Sequence, residues 1–596
     1  MGRFVSMLAF MCMHSQSPVL HSADGVSLII AGGRVRRVTL GMTKYYYSFL
    51  NRPAISLAFL LPALLTACAS APSDGDNVSD YKLEVLVPGS AMHGVHGLAF
   101  DKNDVLYGAS LAGYSIYQID TDSGVVSTKV GPPLGNADDV AVAPDGTLAW
   151  TAGAFSAIHA LTPAGEIKVL ASELPAVNSI NYSPDGRLFV TRVFGGDALY
   201  EIDPAGVGEP RLIAKKLGGL NGFEVTADLQ LYGPLFLKGK LVRVDIESGE
   251  VTQIQDGFAV PAAVNLDSKG RLFAVDFKDG TVSRIDLDKV PAPEAREIIA
   301  QLEPPLDNLA INSRDELYVS NPATNTITAV NGDTGATRTV VSGNLSSPGG
   351  IAIASIDGRE VVVVADLWGN RYFDPDTGAR TMLQMPQGVT ASASLAAKDN
   401  LLALASIWPF GLLYVVDQQA GKIVKTGKFT APYSPTFMPD GSLLVADYTA
   451  GTVTRLAPGK SREKTVVASD LAGPLGIAQV DEQHVYISEY DAGRVTRLNL
   501  VSGEQALLAD GLQQPEGLAV SRDGRVLIAE TGAGRLLRID PVTGLMDVLA
   551  DNLAIGLAGG TDLPLPFLPT GIAVDAADNI YVSADIDNAL YKLTRQ

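Results

Sequence analysis

Twelve positions, spaced at about 43 residues, carry the most chemically suggestive pattern in this chain. Each precedes the Gly, or its replacement, in a recurring x-Gly-Leu/Ile-Ala segment. In the first half these positions are His96, Asp138, Asn178, Asn221, Ala262 and Asp307. In the second half they are Gly349, Ala391, Tyr433, Leu475, Glu516 and Thr570. The first set offers four oxygen-bearing side chains and a histidine, the second a single carboxylate. Ca²⁺ takes roughly six to eight oxygen ligands from carboxylates, amide carbonyls and water. The first set suits such an ion and the second does not. A base that activates water would be His96, or His93 on the same loop, because imidazole titrates near neutrality. Asp138 is the alternative. On the plainer account, these polar groups merely bond strand ends and trapped water, and His93 is an ordinary loop residue.

The elements that position these residues follow from the repeat. The Gly position falls at Gly97, Asp139, Ser179, Gly222, Ala263, Asn308, Gly350, Ser392, Ser434, Gly476, Gly517 and Gly571. Each repeat reads as a short apolar strand, a tight turn, a Leu-Tyr-Val-like strand, a loop, an Arg-Ile-Asp-like strand, a Thr/Ser-Gly turn and an outer strand. The first turn carries Asp145-Gly146, Asp185-Gly186, Asp440-Gly441 and Asp523-Gly524, dipeptides that suit type I′ hairpins. Four antiparallel strands per repeat make a propeller blade. Twelve blades in one ring would leave a very wide hole. The expected fold is therefore all-β, two consecutive six-bladed propellers, spanning 78–345 and 346–596. A spare strand at Tyr81–Val87 is expected to close blade six beside Thr326–Val330. The outer strand Thr337–Val341 would then close blade twelve. A Gly/Pro-rich insertion, Ala554 to Pro569, reads as a loop.

These repeats resemble two overlapping families, the NHL-repeat propellers and the senescence-marker-protein/gluconolactonase propellers with their paraoxonase-type relatives. The resemblance covers residues 93–596. It implies a calcium or similar divalent ion at the top of the central channel, bound by side chains just before the innermost strands. Carried over, the ligands are Asp138, Asn178, Asn221 and Asp307. Asn178-Ser-Ile-Asn and Asn221-Gly-Phe are similar to the family's paired channel asparagines, and Asp307-Asn308 to the paraoxonase-type Asp-Asn pair. The family's first-blade glutamate is His96 here, and the aspartate one blade after its second asparagine is Ala262. The implied activity is metal-dependent hydrolysis of a lactone or ester, in which the cation polarises the carbonyl and His96 or Asp138 moves the proton. NHL-type propellers imply the alternative, a non-catalytic envelope protein that binds a partner protein or polymer.

The loop after each second strand opens on the same face. It carries Phe155, Phe194, Phe236 and Phe277 in the first half, and Trp368, Trp408, Tyr448 and Tyr490 in the second. Packing between neighbouring blades is the favoured account. The sharper one is an aromatic-walled mouth for a flat or sugar-like ligand, with Tyr433 and Glu516 as polar contacts. Asp366, Asp447, Glu489 and Glu530 end strands and read as turn formers. There is no Gly-x-Ser-x-Gly elbow, His-Glu-x-x-His motif or P-loop.

The chain has 596 residues, 46% hydrophobic and 18% charged, with 45 basic and 65 acidic side chains and a net charge of −20. So acidic a chain is a poor partner for nucleic acid. Its two cysteines, Cys12 and Cys68, exclude a disulfide framework. Met42 begins a signal-like stretch: Lys44 and Arg52, an apolar run from Ile55 to Leu65, then Leu65-Thr66-Ala67-Cys68. This looks like a bacterial lipobox, with residues 42–67 as signal peptide, Cys68 lipidated and 68–77 a tether. Ala69 after the cysteine favours the outer membrane, facing the periplasm. The alternative is an ordinary signal peptide cut near Ala69–Ala71. Residues 1–41 read as an over-extended start. Removing residues 1–67 leaves 39 basic against 64 acidic side chains, net −25.

Overall fold

The computed structural model describes residues 80–596 apart from 195, 385–388, 390, 408–409, 460–462 and 558–567. The tether, signal stretch and Cys68 lie outside the described residues, as do Trp408 and the middle of the 554–569 insertion. Among the described residues, no helix is long and apolar enough to cross a membrane.

The strands form twelve four-stranded antiparallel sheets. Each of the first eleven is built from four consecutive strands, as in blade 1: Leu98–Phe100, Leu106–Ser110, Ser115–Ile119 and Val126–Val130. The innermost strand of blade 1 lies beside that of blade 6, Leu309–Ile311. The innermost strand of blade 7, Pro348–Ile356, lies beside that of blade 12, Ile572–Val574. The blades therefore close as two rings of six, a double β-propeller.

Burial follows position along the radius. Second strands are sandwiched between neighbouring blades, so Leu148–Ala152, Leu443–Asp447 and Val526–Glu530 are buried at every residue. That double burial explains why these strands are mostly Leu, Val, Ile and Ala, with Asp447 and Glu530 only at their ends. Outermost strands such as Lys464–Ala468 face water over most of their length. The core is a set of inter-blade layers. One layer joins Ile158 and Leu170 of blade 2 to Ile180, Leu188 and Val190 of blade 3.

The structure corrects two expectations. The Asp-Gly turns are not type I′. Gly146, Gly186, Gly441 and Gly524 have φ between +80° and +91°, but the preceding Asp residues do not share the left-handed region. The amide of Gly186 instead bonds the carbonyl of Ser183 at 2.8 Å, and Ser183 N bonds Arg187 O at 2.9 Å. This is a type I turn followed by a left-handed Gly. The reason is visible at Pro144, Pro184 and Pro439, whose ring fixes φ near −65°, a value type I′ forbids.

The second correction concerns closure. Thr337–Val341 stays in its own blade beside Thr326–Asn331. Tyr81–Val87 pairs with the last strand, Ala589–Arg595, with Tyr81 opposite Arg595 and Leu83 opposite Leu593. The second ring thus uses both ends of the chain. The pairing is fixed by more than backbone: Tyr81 is buried among Leu527, Leu536 and Leu549 of blade 11, and its hydroxyl donates to Asp578.

From Val87 the chain crosses to blade 1, and this crossing joins the rings. Met92 O accepts Asn588 Nδ2 at 2.8 Å, and Gly94 N donates to Ser346 O. Ala112, from the loop after the second strand of blade 1, is buried among Leu367, Ala391, Tyr433, Leu475 and Leu568 of the second ring. Arg371 and Asp366 form a fully buried ion pair, and Arg371 also donates to Ala323 O of blade 6.

Candidate functional site

A repeated latch sets the loops around each channel. The acidic residue ending the second strand accepts backbone amides of the loop that leads into its own blade. Asp276 takes Ala259 N and Val260 N, Asp366 takes Ser346 N and Ser347 N, and Asp447 takes Thr430 N and Ala431 N. Glu489, Glu530 and Asp585 do the same for Ala472, Gln513 and Gly556. In blades 7, 10 and 11 an arginine five residues on pairs with the acid: Arg371, Arg494 and Arg535. These carboxylates are structural.

The first ring's channel is polar and internally bonded. His96 Nδ1 lies 2.8 Å from Asp307 Oδ2. Asn178 Nδ2 donates to Asp138 Oδ2. Ser179 Oγ donates to Asn221 Oδ1 at 2.7 Å. Asn308 Nδ2 reaches across to Asp139 Oδ1 at 3.1 Å, and Asp139 also accepts Val140 N and Ile180 N. Of the sequence-predicted set, then, His96 meets Asp307, Asp138 meets Asn178, and Asn221 joins them through Ser179. His93 lies elsewhere: its ring bonds Tyr117 Oη and Asp585 O within the crossing.

Asp139 and Ser179 were missed as site residues, and Asn308 was singled out only through the resemblance of Asp307-Asn308 to the paraoxonase-type pair. Their signal was present: they stand where other repeats carry Gly, a replacement that puts polar side chains into the shaft. Gly97 makes the room, since a Cβ there would lie 2.1 Å from Asp139 Oδ1.

Crowding sets the charge state. Burial pushes the Asp138 carboxyl up to about 7, His96 opposing the rise and Asp307 adding to it. Asp138 lies deep in the ring yet keeps some contact with solvent. Burial likewise holds Asp139 well above the usual carboxylate range, against the pull of its two backbone amides. For His96 burial works against the charge, but the Asp307 bond and the charges of Asp307, Asp138 and Asp139 outweigh it and raise its pKa. The arrangement is a hydrogen-bonded His–Asp pair beside an aspartic acid whose carboxyl is pushed up to about 7.

Part of this mouth is covered. The Trp368 ring of the second propeller meets His96 edge-on, centroids 5.6 Å apart. Phe194, Phe236 and Phe277 form an edge-to-face row, 5.8 Å between successive rings, and remain partly exposed, as does Phe155.

The second ring's channel is different. Tyr433 is 1% exposed, and Tyr433, Tyr448 and Tyr490 meet edge to face at 6.2 and 6.3 Å. Glu516 is buried, accepting Thr570 N at 2.6 Å and Thr531 Oγ1 at 3.1 Å. Burial and the neighbouring Asp585 push its pKa up to about 8. Below it runs a cavity of about 40 Å³ lined by Ser394, Ser434, Glu516 and Thr570 among glycines and aliphatic residues.

Among the described residues, no group of three or more His, Cys, Asp or Glu side chains is arranged to hold a metal ion. Asn side chains fall outside that statement. Two carboxylates and two carboxamides are calcium chemistry, and His96 alone faces three acidic side chains, Asp138, Asp139 and Asp307. The donor set therefore fits a divalent cation, provided Asn178 turns its amide, whose NH₂ now faces Asp138.

No protein-family profile and no curated protein matches the chain. Solved structures do. One is a catalytically inactive virginiamycin B lyase from Staphylococcus aureus with quinupristin: 18% identity, TM-score 0.35, covering 48% of this chain and 96% of that one. Another is described as the extracellular domain of a one-component system from B. thetaiotaomicron: 11% identity, TM-score 0.29, covering 86% and 82%. Likeness at this level says nothing of activity. The propeller assignment stands on the strand pairing itself.

Proposed function

We propose that the upper channel of the first propeller is a hydrolytic site for a small lactone or ester, the activity implied by the resemblance to gluconolactonase-type propellers. The observation that carries this reading is Asp138, a carboxyl pushed up to about 7 beside the His96–Asp307 pair, whose atoms lie 2.8 Å apart. A general base is most effective when its pKa lies near the working pH. Asp138 takes the proton of the attacking water. Asp307 holds the His96 ring in place and favours its protonated form, and a positive charge there favours ionised Asp138. The phenylalanine row supplies an apolar wall over a polar floor, the usual make-up of a small-molecule site. Asp138, Asp307, Asn178 and Asn221 would hold a calcium-like ion. Bound there, it would polarise the substrate carbonyl.

The test uses the intact chain against a panel of lactones and aryl esters, with calcium or with chelator, beside Asp138→Asn. Activity that rises through about pH 7, and falls at least ~100-fold in the variant, supports the assignment. Turnover indifferent to Asp138→Asn, or no turnover across the panel, removes it. Calcium dependence lost in Asn221→Ala separately decides the metal.

A second reading is favoured for the second ring. Its mouth is occupied by Ala112 and its neighbours, so this ring acts as a non-catalytic support or binding module. We further propose that the protein is exported and anchored through a lipid on Cys68, facing the periplasm from the outer membrane. Mass spectrometry of the membrane-extracted protein would find a lipid-modified cysteine as its first residue. A soluble form starting after Ala69–Ala71 would contradict the anchor.

A further inference from the structure

The top of the second ring carries a groove that neither channel explains. It lies between blades 10 and 11, has a volume of about 400 Å³, and opens to solvent. Its lining is Tyr490, Asp491, Gln513 and Gln514 over a floor that includes Gly493 and Gly532. Tyr490 is half-buried, while Asp491, Gln513 and Gln514 are exposed.

We propose that this groove binds a neutral saccharide. The volume suits one or two sugar rings. A tyrosine face packs against the apolar C–H face of a pyranose, and planar carboxylate and carboxamide groups pair with adjacent hydroxyls. The groove offers one aromatic face and three such planar groups, with no basic residue among its lining. That excludes an anionic ligand as its natural guest.

The lining is held in place before any ligand arrives. Tyr448 packs edge-on against Tyr490, and its hydroxyl donates to Asp491 Oδ1 at 2.7 Å. Gln513 N is latched by Glu530 Oε1 at 2.8 Å, and Gly532 N donates to Gln513 O. Gln514 sits at φ +51°, a strained conformation for a side-chain-bearing residue, secured by Thr531 N and Oγ1 on its carbonyl. Gly532 keeps the lining close: a Cβ there would lie 3.0 Å from both Gln513 Cβ and Gln514 Oε1 and press on them. Rigid placement of this kind lowers the ordering cost of binding.

The experiment is titration calorimetry on the intact chain with glucose, N-acetylglucosamine, maltose and cellobiose, beside choline as a cationic probe. Saturable binding of at least one sugar is expected, weakened ~10-fold or more by Tyr490→Ala and by Gln513→Ala, as for central contact residues. Tyr490→Phe should keep most of the affinity, because the ring face remains. Gln513→Ala changes an exposed side chain, so a folding defect would not confuse it, and circular dichroism would verify this. No sugar binding, binding unaltered by Gln513→Ala and Tyr490→Ala, or binding of choline alone would each overturn the proposal. None of these outcomes bears on the hydrolytic site, which lies in the other ring.

Discussion

The two rings are built from one repeat and latch their loops the same way, yet their centres have become opposites. In the first, the residue before the Gly position is polar in every blade but the fifth, where it is Ala262, and the polar groups satisfy one another: His96 with Asp307, Asp138 with Asn178, Asn221 through Ser179. In the second, Ala391, Tyr433 and Leu475 fill the same level, and a loop from the first ring packs onto them. A propeller places six copies of one position around an axis. Changing that position and the one after it therefore converts a polar shaft into a socket, without altering the blades.

The largest effect should come from the junction. Arg371→Ala strands Asp366 in a fully buried site, a loss expected to cost about 3–5 kcal/mol in chemical denaturation. The same change at Arg494, whose side chain is 38% exposed so that water can enter beside the buried Glu489, should cost less, about 1–3 kcal/mol. Equal losses would show that burial is not what distinguishes the two latches.

Next is the socket. Ala112→Asp places a charge among Leu367, Tyr433 and Leu475 and should destabilise by about 2–4 kcal/mol. The rings would then unfold in two separate transitions. A single unshifted transition would mean that the loop does not hold them together.

The acids give a pH test. Asp138 has its folded pKa raised to about 7 and Glu516 to about 8. A raised carboxyl pKa means that the folded state binds the proton more tightly, so stability is fully present at low pH. It falls as pH rises from the ordinary carboxylate value to the folded one. Asp138→Asn should therefore match the parent chain near pH 4 and exceed it above pH 7. Glu516→Gln should show the same divergence extending to about pH 8. Calcium should erase the gain of Asp138→Asn and leave that of Glu516→Gln untouched. Equal calcium effects on both would dissolve the distinction between the channels.

The smallest effect is at Trp368, whose Nε1 is buried without a hydrogen-bond partner among the described residues. Trp368→Phe should change stability by no more than ~0.5 kcal/mol. With Trp150 and Trp408 replaced, the fluorescence of Trp368 should be quenched by protonated His96. Its midpoint should lie above 6.5, the direction Asp307 imposes. A midpoint below that value would mean that His96 is neutral at pH 7.

Much of this was legible in the sequence. The spacing of the Gly positions gives twelve blades, because each copy must solve the same packing problem. The polar row from His96 to Asp307 is visible as a column in that repeat. Who bonds whom is not, because pairing across a channel joins residues 40 to 211 apart through geometry that no local pattern encodes. The turn type was misread because Asp-Gly was weighed without the proline before it. The closing strand was misassigned because backbone edges are chemically alike. Tyr81, with its pocket in blade 11, and the buried Leu86 and Val87 distinguish them, and such side chains do not announce their pockets.

The pairing of Tyr81–Val87 with Ala589–Arg595 has a consequence for how the molecule is made. The first ring, from Leu98 to Val341, is an insertion within a second ring whose outermost strand is synthesised first and whose partner is synthesised last. The inserted ring can close on its own contiguous strands. The host ring must wait, holding one strand in reserve, until Ala589–Arg595 arrives to pair with it.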